Sequence, residues 1–128
     1  MKKVFKNIEV RFDISTDCID TYVNDKYAGD FTIEEADGYM RIRPSSFDLE
    51  EIGFGRQGVY TFIIDTILEG DLNDGISDEF ENIRHISFES VLRTEKACRF
   101  WSKRGYDNIY DKAEHESGNQ KVIEIIIL

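Results

Sequence analysis

The chain is poor in the residues that hold small proteins together from outside the core. Its 128 residues include two cysteines, two histidines and one proline. Cys18 and Cys98 lie far apart and have no metal-ligand spacing. That pattern argues against a zinc ribbon or a disulfide framework and for two reduced packing cysteines. A chain of this length can bury enough surface to need neither staple. Long apolar runs are missing too. The longest, Ile125–Leu128, is far short of a membrane span, and the opening MKKVFKNIEVRF has no apolar stretch of signal-peptide length. A cytoplasmic protein with no membrane contact is expected. Positive charge is scarce: 16 Lys and Arg stand against 26 Asp and Glu, a net charge of −10. This disfavours direct, non-specific binding to nucleic acid or anionic lipid, whose phosphates require cations. It suits a basic partner, or one whose nucleic-acid site can be mimicked. No linker or repeat divides the chain, so residues 1–128 read as a single domain.

What is present is a clear change of hydrophobic period. Ile8–Ile14 and Cys18–Val23 alternate apolar and polar residues, the pattern of half-buried strands. Tyr27–Glu34 and Tyr39–Arg43 continue the series, with turns at NDK and ADG and an end at Pro44. Short turns between successive strands predict an antiparallel meander. Then Tyr60, Ile63, Ile64, Ile67 and Leu68 make a helical stripe, widened by Val59 and Phe62 and closed at Gly70. DLNDGISDEFEN reads as an acidic loop, with its glycine one place too early for a calcium-binding EF-hand. Arg84–Val91 is a fifth strand. A second helix follows in TEKACRFWSKRG, with Thr94 as N-cap, a face of Ala97, Phe100 and Trp101, and cations Arg99, Lys103 and Arg104 near its end. YDNIY is a short strand and KVIEIIIL a last, largely buried one. The fold class is α+β, and the helix that crosses over between strands four and five implies that this pair is parallel.

This order resembles the GNAT superfamily of acyl-CoA N-acyltransferases over residues 39–128. GRQGVYTFIID is similar to the family's glycine loop at the start of its main helix, and SVLRTEKACRFWSKRGYDNI to its later strand and helix. The resemblance implies a GNAT-like mixed sheet and acetyl-CoA as a substrate. Its pyrophosphate would sit at the first helix N-terminus, where free N–H groups and the helix dipole favour an anion and glycine lets the backbone approach. Arg56, Gln57, Gly58, Tyr60 and Thr61 are then the binding residues of the loop, and Thr94 and Trp101 those of the second helix. Gly55 and Tyr60 depart from the family's loop, Thr94 replaces its usual Asn, and Trp101 replaces the Tyr that often serves as general acid. Indole is no acid for that step. Glu89 and His85 are the candidate bases; they lie at i and i+4 on one strand face. No metal is implied. The two helices usual after the family's first strand are absent, since DISTDCID leaves only a turn. A site without that lid suits an amine on a protein with a basic segment. The departures also suit a second reading: a catalytically inactive, acidic GNAT-fold inhibitor or adaptor.

Overall fold

Alternation along the first third of the chain becomes a row of hairpins. A computed structural model describes residues 1–92, 95–105 and 121–127. The strands are β1 (Lys2–Phe5), β2 (Ile8–Ile14), β3 (Cys18–Val23), β4 (Lys26–Ala36), β5 (Tyr39–Phe47), β6 (His85–Leu92) and β7 (Lys121–Ile126). The helices are α1 (Val59–Leu68), α2 (Asn73–Glu79) and α3 (Glu95–Ser102). The strands form one curled seven-stranded sheet in sequence order. The β5–β6 pair is parallel and the other neighbours are antiparallel. Lys6–Asn7, Asn24–Asp25 and Asp37–Gly38 all have positive φ, which marks two-residue type I′ turns matched to the twist of the strands they join.

One face of the sheet carries the core. Val10, Phe12, Ile19, Phe31, Met40, Ile42, Ile86 and Phe88 are buried there against Ile63, Ile64 and Ile67 of α1. The other face is charged. Arg41 and Arg43 each pair with both Glu34 and Glu89, closing a ring of four alternating charges with N–O distances of 3.2–3.6 Å.

Four features differ from the sequence expectation. β1 is an additional edge strand; its Phe5 stacks on Phe62 at 5.0 Å between centroids, and its lysines are of the kind that discourage edge pairing. Pro44 does not end β5. It lies opposite Phe31 beside a bulge, and β6 pairs with β5 only as far as Ile42, so the missing N–H interrupts no regular ladder. The acidic segment DLNDGISDEFEN contains α2 rather than a loop throughout, because Leu72 and Ile76 are buried and Phe80 packs behind them at helical spacing. Gly75 permits this: a Cβ there would lie 2.7 Å from Ile14 Cδ1. Finally, the described side chains of β7 are not largely buried, since Glu124 is exposed, Ile125 is half-buried and Ile126 is 65% exposed. YDNIY and Thr94 lie outside the described residues. Cys18 is a free, half-buried thiol, and the side chain of Cys98 is not among those described. No helix among the described residues is long and apolar enough to cross a membrane.

Candidate functional site

The central parallel pair does not stay together. Its last registered partners are Ile42 and Phe88. Beyond them β5 continues with β4 as far as Phe47 opposite Gly29, and β6 continues with β7 as far as Leu92 opposite Lys121. The strands therefore part, and the edge of β5 from Arg43 to Phe47 is left without β6. A cleft of about 630 Å³ opens there. Pro44, Ser45 and Phe47 line one side and Ser90 the other, with the start of α1 and the inner face of α3 completing it. The volume falls in the range of small-molecule sites.

The approach to α1 is shaped by its backbone. Gly53, Arg56 and Gly58 have φ of +89°, +58° and +79°. Gly58 is the N-cap, has no side chain to cap the helix, and is followed by no acid in the first turn. The first helical bond shown runs from Phe62 N to Gly58 O at 3.0 Å. The N–H groups of Val59, Tyr60 and Thr61 precede it and have no helical acceptor. A left-handed residue followed by a helical one turns successive N–H groups toward a common point, a concavity suited to an anion. Arg56, Asp48 and Glu50 line the same cleft, and Asp48 Oδ1 accepts from Glu51 N at 3.0 Å. Gly55 has a packing reason: a Cβ there would lie 2.4 Å from Glu50 Cγ.

The opposite wall is aromatic. Phe31, Phe47, Tyr60, Phe100, Trp101 and Phe88 form a closed circuit of ring contacts with centroid distances of 4.8, 5.6, 5.4, 5.2, 5.8 and 6.2 Å in turn. Such offset and edge contacts stabilise beyond the area they bury, by about 0.5–1.5 kcal/mol per pair. Phe47, Tyr60, Phe100 and Trp101 also line the cleft. Tyr60 thus has two roles: it packs edge-on against Phe47 and presents part of itself to the cleft. Burial pushes its phenol up to about 12. The folded value lies above the ordinary value of about 10, so the neutral phenol favours folding. That contribution is complete below about pH 10 and is lost between about pH 10 and 12. Tyr27 is pushed up to about 12 as well, by desolvation and the neighbouring Asp30, so alkaline titration of phenolate absorbance should show a late-titrating amplitude that falls by one tyrosine in Tyr60→Phe.

The structure gathers most, but not all, of the residues read from the sequence. Arg56, Gly58, Tyr60, Thr61 and Trp101 line the cleft. Gln57 turns back, its Nε2 donating to Gly53 O at 3.1 Å, and so braces the loop. Glu89 and His85 share a face, but not the cleft's. Glu89 is only 4% exposed, between Arg41 and Arg43. His85 stands at the far end of β6, its ring 5.2 Å from that of Tyr39. Phe47, Asp48, Glu50 and Ser90 are cleft residues that the sequence reading passed over. Pro44 does not end β5, so the cleft edge runs on to Phe47. Among the described residues no group of three or more His, Cys, Asp or Glu is placed to hold a metal ion. Comparison with family models, with curated proteins and with solved structures finds no match to this chain.

Proposed function

We propose that this chain is a small N-acetyltransferase of the GNAT type, moving an acetyl group from acetyl-CoA to an amine on a protein. One observation carries the reading: the parting of β5 and β6 opens onto the uncapped N-terminus of α1, beside Arg56 and Gly58. A pyrophosphate fits that concavity, where free N–H groups and the helix dipole face it. The extended, amide-bearing arm of coenzyme A fits the open edge of β5 as an added strand, although Pro44 offers it no donor. Phe47, Tyr60, Phe100 and Trp101 give its apolar parts a dry wall.

In the transfer the amine gives up a proton, its nitrogen bonds to the thioester carbon, and the carbon–sulfur bond breaks to release the thiolate. Backbone N–H groups of the β5 edge meet the oxyanion. Asp48 and Glu50 are the carboxylates of the cleft lining, so the amine's proton passes to one of them or to water. The thiolate takes its proton from water, because Trp101 has none to give. The net charge of −10 draws a basic acceptor. On the charged sheet face, Asp13 and Asp30 each stand opposite Asp20. That arrangement repels itself and gains from such a partner.

A second reading, an inactive acidic binding protein of the same architecture, is favoured by Trp101 in the place of the family's acid and by Glu89 held between two arginines. Calorimetry with acetyl-CoA is the first test. Binding by the wild type, weakened at least about tenfold (about 1.4 kcal/mol) in Gly58→Glu, is expected. Thermal unfolding of the variant shows that it is folded, and Arg56→Gln provides a milder companion. No heat from the wild type would overturn the proposal. Binding without acetylation of a lysine-rich protein mixture, followed by mass spectrometry, would favour the second reading.

A further inference from the structure

The charged face of the sheet holds a tyrosine ring that is open to solvent. Tyr27, near the start of β4, is 51% exposed. It is nevertheless fixed in place. Its phenol donates to Asp30 Oδ1 at 3.2 Å, and its ring meets that of Tyr22 edge-on at 5.6 Å. Strand register brings Asp20 opposite Asp30. The phenol responds to both: desolvation pushes it up to about 12, and the charges of Asp30 and Asp20 add to the rise. Surroundings that resist a phenolate favour a cation.

One cation already stands a strand away. Arg11 lays its guanidinium over the Tyr22 ring at 4.3 Å, with Nε 3.7 Å from Asp13 Oδ1. Arginine, ring and aspartate are thus assembled within the molecule. Tyr27 and its two aspartates repeat the arrangement without an arginine. Asp20 accepts from the Cys18 thiol at 3.6 Å and Asp30 from the Tyr27 phenol, both neutral donors. Among the described residues neither carboxylate has an ion-pair partner, and no cation lies over Tyr27. Register also places Asp30 opposite Ser46, on the stretch of β5 that β6 has left.

We propose that Tyr27, Asp20 and Asp30 form a docking site for an arginine side chain on a basic segment of a partner protein. The guanidinium stacks on the Tyr27 ring and turns its N–H groups to the two carboxylates, repeating what Arg11 does on Tyr22 beside Asp13. Arginine fits better than lysine, since its planar fork can stack and donate at once, whereas an ammonium is a compact, strongly hydrated point charge. The ring is already held, so little side-chain freedom is lost on binding. Next to Ser46, a segment held there lies beside the open edge of β5. The assignment names how the basic acceptor of the acetyltransferase reading is gripped, and it rests on that reading.

The test titrates the protein with a capped Gly-Arg-Gly-Arg-Gly peptide, and with its lysine and citrulline counterparts, while amide resonances are followed at low, fixed ionic strength. No acetyl-CoA is present, so failure here and failure of acetyl-CoA to bind are told apart. The arginine peptide should shift the amides of residues 20, 22, 27 and 30. It should bind about threefold more tightly than the lysine peptide and at least about tenfold more tightly than the uncharged citrulline one. Asp20→Asn/Asp30→Asn should weaken it at least about tenfold, and Tyr27→Leu about threefold. Asp78→Asn/Glu79→Gln removes the same charge from the exposed end of α2 and should cost less than about twofold. Thermal unfolding shows that each variant is folded. A lysine or citrulline peptide that binds as tightly as the arginine one would overturn the proposal. So would unmoved amides at the four positions, or equal weakening in the two double variants.

Discussion

Replacing Gly29 with alanine should destabilise the protein by about 3 kcal/mol or more, which combines overpacking with a backbone conformation reserved for glycine. Gly29 lies in β4 with φ +150°. A Cβ built there would be 1.9 Å from Ser46 O and 2.7 Å from the Phe47 ring. The first of these atoms belongs to the neighbouring strand's backbone and cannot swing aside. β5 has to move away from β4 near the bulge between Asp30 and Phe31. Phe47 moves with it, and Phe47 is both a cleft wall and a link in the aromatic circuit. Gly53→Ala is the comparison. It has positive φ as well, +89°, but a Cβ there meets nothing within 4 Å, so only the backbone cost of about 1 kcal/mol remains. Urea unfolding of both variants separates the two effects. Equal losses would show that β5 yields freely and that Gly29 is not a packing constraint.

The same strands show why some of the structure was legible and some was not. β2 and β3 have the bounds expected from alternation, because a half-buried strand writes its period locally. α1 likewise announced itself by a stripe of apolar residues, and the parallel β5–β6 pair followed from the crossover it makes. α2 did not, since Asn, Asp, Gly and Ser favour turns over helices and only burial of Leu72 and Ile76 against the rest of the molecule forms it. Pro44 misled because its cost depends on whether neighbouring strands need its N–H, and here the bulge and the parting of β6 remove that need. The site divides along the same line. Arg56, Gly58, Tyr60 and Thr61 adjoin one helix start, so local sequence found them. The embrace of Glu89 by Arg41 and Arg43 depends on the register between β5 and β6, and the aromatic circuit on the meeting of five separate elements. Neither relation is written in any one stretch of chain.

The circuit also yields the second large effect. Phe88→Ala should destabilise by about 3–5 kcal/mol, the usual cost of emptying a buried phenylalanine site. That is a large part of the roughly 5–15 kcal/mol by which such domains are stable. Phe88 is fully buried and holds Phe31 on one side and Trp101 on the other. It is also the last residue of β6 paired with β5. The space vacated by its ring therefore lies just below the cleft, beside Trp101, so on the proposed reading acetyl-CoA affinity should fall along with stability. Phe88→Leu tests whether volume alone matters, since a leucine restores most of the lost apolar surface and should cost only about 1–1.5 kcal/mol. A double-mutant cycle joining Phe88→Leu with Trp101→Leu then isolates the ring–ring term, expected at about 0.5–1.5 kcal/mol. Zero coupling would reduce the circuit to ordinary hydrophobic filling. A coupling of the expected size would make these rings a connected wall, one that ties the stability of the sheet to the shape of the cleft where its central strands part.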